Sequence, residues 1–143
     1  GIKICKNVAG SSASTYIYIQ VSFHTTSSYD NSIFILGCVD SSSSTLSYTS
    51  LNRDIPLGEW VKLVVEFNHP TVKATLYDLS GNIIATTMAE SVNTLPSGYC
   101  GISFHPFMGT SGDGRMAIRD FQFIAAESSS TNGIAACIPS EVV

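Results

Sequence analysis

Residues 57–87 read LGEWVKLVVEFNHPTVKATLYDLSGNIIATT, and this stretch decides the fold. Val61, Leu63, Val65 and Phe67 alternate with Lys62, Val64 and Glu66, the period-two pattern of a strand with one face in a core. Asn68-His69-Pro70 interrupts the run. Val72 to Tyr77 alternates again. Asp78 to Asn82 then turns the chain, with Ser80-Gly81-Asn82 supplying the residue that tolerates positive φ. Ile83 to Thr87 is a third strand. Trp60, the only tryptophan, opens the first strand after Gly58 and reads as a core anchor rather than a ligand platform.

Outward from this centre the same pattern repeats. Gly1 to Cys5 is a short strand. Ser14 to Phe23 puts Ile17, Ile19, Val21 and Phe23 on a core face and leaves Tyr16 and Tyr18 outward. Ser32 to Val39 is nearly all apolar, as in a strand covered on both faces, and Gly37 is placed at a bulge. Residues 40–44 form a hairpin loop before a strand from Thr45 to Thr49. Met88 to Val92 is read as one helical turn. Cys100 to His105 and Arg115 to Ala125 are strands, and Ile134 to Ile138 adds a short edge strand. No segment carries a sustained helical period. About nine or ten short strands without helices predict an all-β, antiparallel two-sheet β-sandwich or jelly roll. The 143 residues fit one domain, 1–143, in which 127–133 is a flexible link to a short C-terminal segment.

Composition bounds the function. Apolar residues make up 44% and charged residues only 13%, so the chain can build a core, and Ser and Thr carry its surface polarity. Its net charge is -4, and its seven basic residues are scattered, which argues against nucleic acid, whose phosphates need clustered Lys and Arg. No apolar run reaches the ~18 residues of a spanning helix, so membrane insertion is not expected. The four cysteines, Cys5, Cys38, Cys100 and Cys137, show no zinc-ligand spacing. They are read as disulfide candidates, in any of three connectivities, with one bridge tying down the tail; buried thiols are the competing reading.

The residues also resemble a family. GEWVKLVVEF followed by VKATLYDLSGNII is similar to the centre of laminin-G-type and other concanavalin A-like sandwiches: Gly-x-Trp opening a strand, a strand ending in Tyr-Asp, then Gly and a strand of aliphatics. Leu95 to Phe104 (LPSGYCGISF) and Ile118 to Phe123 (IRDFQF) are similar to closing strands of L-type lectins and related glucanases. The resemblance spans residues 57–124. It implies a concanavalin A-like fold and a lectin-type, carbohydrate-binding activity. The family's metal and catalytic residues do not carry over. Asp40 to Ser44 lacks the acidic, Asn-rich metal loop, and both the galectin residue set and the glucanase ExDxxE run are missing.

Chemistry is sparse in the sequence itself. No Asp/Glu pair sits two apart on one strand, as a glycosidase pair would, and there is no GxSxG elbow. His24 and His69 read as structural or solvated. Sugar binding needs an aromatic platform with a few directed polar groups. Two places offer it: the loop 105–115, with His105, Phe107, Asp113 and Arg115 on a glycine-rich backbone, and the Tyr16/Tyr18 face, joined by Tyr48. The competing readings are a plain strand connection and ordinary cross-strand packing. No cofactor is expected; Asp113 is one oxygen ligand where Ca²⁺ wants several. These readings favour a non-catalytic, secreted, extracellular module that binds a glycan or glycoprotein and takes part in adhesion. The alternatives are a receptor-binding or structural module of a viral or phage fibre or spike, at the virion surface, and a polysaccharide-acting hydrolase or lyase. Each of these readings leaves room for a homo-oligomer.

Overall fold

A computed structural model describes residues 2–6, 15–22, 31–39, 42–56, 58–90, 98–102, 117–120, 122 and 137–139, and the account below concerns these. They form nine strands and no helix: β1 Ile2–Lys6, β2 Tyr16–Ser22, β3 Ser32–Val39, β4 Ser42–Ser50, β5 Lys62–Asn68, β6 Thr71–Tyr77, β7 Ile83–Glu90, β8 Gly98–Ile102 and β9 Cys137–Pro139. One sheet runs β4-β3-β2-β1-β8-β9 and the other β5-β6-β7. Neighbours are antiparallel except β8 and β9, which are parallel. The stretch 57–87 is thus almost the whole of the second sheet, a meander closed by two tight turns.

Alternation sends one face of each sheet into a shared core. Ile17 and Ile19 on β2 and Ile33 and Ile35 on β3 meet Val72, Ala74 and Leu76 on β6 and Ile84 and Ala85 on β7. Each large aliphatic side chain removed from water contributes about 1.5–3 kcal/mol, so this cluster dominates the folding energy. Val61, Leu63, Val65 and Phe67 pack against it but stay half-buried, because β5 lies at the edge of its sheet. Two polar links join the layers. The hydroxyls of Ser47 on β4 and Thr87 on β7 are 2.7 Å apart. Asn52 donates its backbone amide to the Ile84 carbonyl at 3.1 Å and its side-chain amide to the Ile83 carbonyl at 3.1 Å. Those carbonyls lie where the β6–β7 register slips, between Leu76 and Tyr77. Asn52 therefore satisfies two carbonyls of edge strand β7 beside the slip.

Several local readings are corrected. Met88 to Glu90 belongs to β7 and is no helical turn, because β6 offers a continuing ladder, Lys73 to Met88 and Thr71 to Glu90. β4 starts at Ser42, not Thr45. Ser42, Ser43 and Ser44 pair with Val39, Cys38 and Gly37, so the template strand outweighs serine's weak preference for strands. The β3–β4 irregularity falls between Ile35 and Leu36, with Leu46 as the extra residue on β4. Gly37 is not in the bulge, and a Cβ there would sit 3.4 Å from Leu46 Cδ1, at ordinary contact distance. Residues 117–120 and 122 are not in a strand, and Asp120 has φ 54°. Trp60 is no core anchor; it is 36% exposed, with the Arg119 guanidinium 4.5 Å from its ring centre. His69 is only half-exposed, and its Nε2 is enclosed without a hydrogen-bond partner among the described residues. Its ring meets Phe67 edge-on at 6.1 Å. Cys38 is 4% exposed and stands as a thiol, not in a disulfide. The β2–β3 register sets it opposite Tyr16, to which it is hydrogen-bonded. The side chains of Cys5, Cys100 and Cys137 lie outside the described residues.

Candidate functional site

A shallow concavity of the described surface lies where β5 begins and β6 ends. Strands β5 and β6 are joined by a two-residue turn, His69-Pro70, and this fixes their register so that Lys62 faces Tyr77 and Val64 faces Thr75. Lys62, Val64 and Tyr77 are therefore on the face turned away from the core. The Asp78–Asn82 turn rises beside them. Together Lys62, Val64, Tyr77, Asp78, Leu79 and Gly81 line a shallow depression of about 340 Å³.

The turn that forms one wall is heavily hydrogen-bonded. Asp78 Oδ1 accepts the Asn82 amide at 2.8 Å, and Oδ2 accepts the Asn82 side-chain amide at 2.9 Å. The Asp78 amide donates to the Asn82 carbonyl at 3.0 Å, and the Gly81 amide to the Asp78 carbonyl at 3.1 Å. Gly81 has φ 87°, which only glycine adopts without strain. The Asn82 side chain, then the Asn82 backbone amide, hold the Asp78 carboxyl below its ordinary range, with help from Arg53. Asp78 is thus an ionised, fixed acceptor at the rim.

A second charged group flanks the wall. Arg53 donates to both carboxylate oxygens of Glu59, with Nη1 at 3.1 Å from Oε2, and Nη1 also bonds the Asp54 carbonyl at 3.0 Å. This fork lowers the Glu59 pKa and raises that of Arg53; the Asp78 charge acts on both. Of the described cationic side chains, Arg53, Lys73 and Arg119 each have an acidic partner, and Lys62 has none among the described residues. Chemically the depression offers one free ammonium donor, one fixed carboxylate acceptor, a tyrosine ring and the apolar surface of Val64 and Leu79. Leu79 is 64% exposed, an unusual cost for a large aliphatic residue at a turn. Asp78 is the one carboxylate among the described residues that line the depression. No group of three His, Cys, Asp or Glu residues arranged to hold a metal ion occurs among the described residues.

The residues singled out from sequence divide in two. His105, Phe107, Asp113 and Arg115 lie outside the described residues. Tyr16 and Tyr18 do point away from the core, but Tyr18 is only 7% exposed and Tyr16 is half-buried, so they are not an open platform. Burial, then the hydrogen bond to Cys38, raises the Tyr16 pKa. Tyr48 is 64% exposed yet separate from both: it stacks on Phe34 with ring centres 5.8 Å apart, and β3 lies between it and β2. Alternation alone marks Lys62 and Tyr77 as strand positions and Asp78 as a turn residue, not as a site. Their convergence was recoverable only from the hairpin register, since a two-residue turn at 69–70 sets residue 62 opposite residue 77. Comparison with family models, curated proteins and solved structures finds no match to the chain.

Proposed function

We propose that this chain is a non-catalytic carbohydrate-recognition module, built as a concanavalin A-like β-sandwich and working outside the cell on a glycan or glycoprotein. The observation that carries the reading is the depression bounded by Lys62, Tyr77 and Asp78. A pyranose presents an apolar CH face and a ring of hydroxyls. A tyrosine ring with adjacent aliphatic surface suits the first, and a paired donor and acceptor suit the second. Asp78 is pre-oriented by Asn82, so a ligand would not have to order it. The shallow shape favours weak, multivalent recognition over the deep enclosure that catalysis needs. The loop 105–115 remains a second candidate contact from its composition alone. Probing a glycan array with wild type, Tyr77→Ala and Phe107→Ala tests the reading. Selective binding by wild type, lost in Tyr77→Ala, is the expected pattern. Absence of wild-type binding would remove the lectin reading, and loss confined to Phe107→Ala would move the site to the loop.

One observation also supports a second reading, a receptor-binding or structural module of a virion fibre or spike. Charged residues make up only 13% of the chain, and Ser and Thr carry its surface polarity, which suits a virion surface as well as a secreted one. Four reactive thiols in denatured, unreduced protein, together with a trimer by light scattering, would favour this reading over a secreted lectin.

A further inference from the structure

We propose that β5 pairs edge to edge with β5 of a second copy of this chain, joining the two three-strand sheets across a two-fold axis centred on Val64. Strand β5 lies at the edge of its sheet and has no hydrogen-bonded neighbour on its outer side among the described residues. A strand in that position presents a row of unpaired amides and carbonyls, a template for another strand. Its core-facing residues Val61, Leu63, Val65 and Phe67 pack on the core yet stay half-buried, so apolar surface continues to the edge.

The charge pattern of β5 selects the partner and the register. An antiparallel pairing about a two-fold axis sets residue i against 128 − i when the axis passes through Val64. Lys62 then faces Glu66 of the second copy, twice by symmetry. Leu63 faces Val65 and Val61 faces Phe67, which extends the apolar face unbroken. Moving the axis one residue either way sets Lys62 against Val64 or Asn68 and leaves both charges without an opposite. Lys62 is exposed and has no ion pair among the described residues, while Glu66 uses Oε2 for Lys73 at 3.0 Å. Arg119 stacks on Trp60, one residue outside the paired span 61–67. An isologous contact of this kind closes on itself as a dimer. The pairing uses Lys62 and Val64, which also line the depression, but its test reads association and not glycan binding.

The test is sedimentation or light scattering of the full chain over a concentration series, for wild type, Lys62→Glu, Glu66→Lys and the double exchange. A wild-type dimer is expected. Each single reversal creates two like-charge contacts and weakens association on the order of tenfold; the double exchange restores it, which a folding defect would not do. A monomer at every concentration, a trimer, or a dimer indifferent to both single reversals would overturn the proposal. In the first case Lys62 and Glu66 serve only to guard the edge.

Discussion

Asp78 shows how one residue organises the turn beside the depression. Its carboxylate accepts two hydrogen bonds from Asn82 and so fixes the turn that Gly81 makes sterically feasible. Alanine at position 81 would have to hold a φ of 87°, at a cost of about 1 kcal/mol in urea unfolding, although nothing crowds its Cβ. Asp78 and Glu59 both have folded-state pKa values below the ordinary carboxylate range. Their stabilising contribution is therefore full above the unfolded pKa, roughly pH 4, and is lost as pH falls through the lower folded values. Asp78→Asn should flatten the stability profile below about pH 4 while changing little near neutrality in slope; an unchanged acid limb would contradict this. The need for Gly81 was legible in the sequence, because Ser-Gly-Asn between two strand patterns calls for positive φ. The burial of Tyr18 was not. Alternation assigns a side chain to a face, but it does not say whether that face is covered.

At the scale of elements, the links between the sheets matter more than the strands one by one. Thr87 is 4% exposed and bonds Ser47 across the core. Thr87→Val keeps the shape and strands the Ser47 hydroxyl, so a loss of about 1 kcal/mol is expected. Thr45→Val, on an exposed stretch of β4, should cost less than half of that, and equal losses would dismiss the inter-sheet bond as a stabiliser. Gly37→Ala tests the bulge correction. Its Cβ meets Leu46 at ordinary contact distance, so a gain of about 0.5 kcal/mol is expected where a bulge glycine would bring a loss. The strands themselves were legible, since apolar alternation and turn residues mark them. Their grouping was not. Nothing in the alternation of β5 reveals that it is an edge, because its inward residues are as apolar as those of β6. Serine-rich β4 was read short for the opposite reason: its pairing comes from β3 and not from its own composition.

For the whole molecule, two sheets share one aliphatic core, and a shallow depression lies on the outer face of the smaller sheet. Leu76 is fully buried between the layers. Leu76→Ala should therefore cost about 2–5 kcal/mol in chemical denaturation, enough to threaten the fold of a domain this size. All-β architecture could be read from the sequence because no segment carries a sustained helical period. The candidate site could not, because Lys62 and Tyr77 are fifteen residues apart and meet only through the register of one hairpin. The central claim is that this depression holds a glycan, and amide chemical-shift mapping tests it most directly. A glycan bound on the array is titrated into ¹⁵N-labelled protein. The account predicts that the amides of Lys62, Tyr77, Leu79 and Gly81 shift together and saturably, and that Tyr77→Ala abolishes the response. Saturable shifts confined to other residues, or no binding by any glycan, would contradict it.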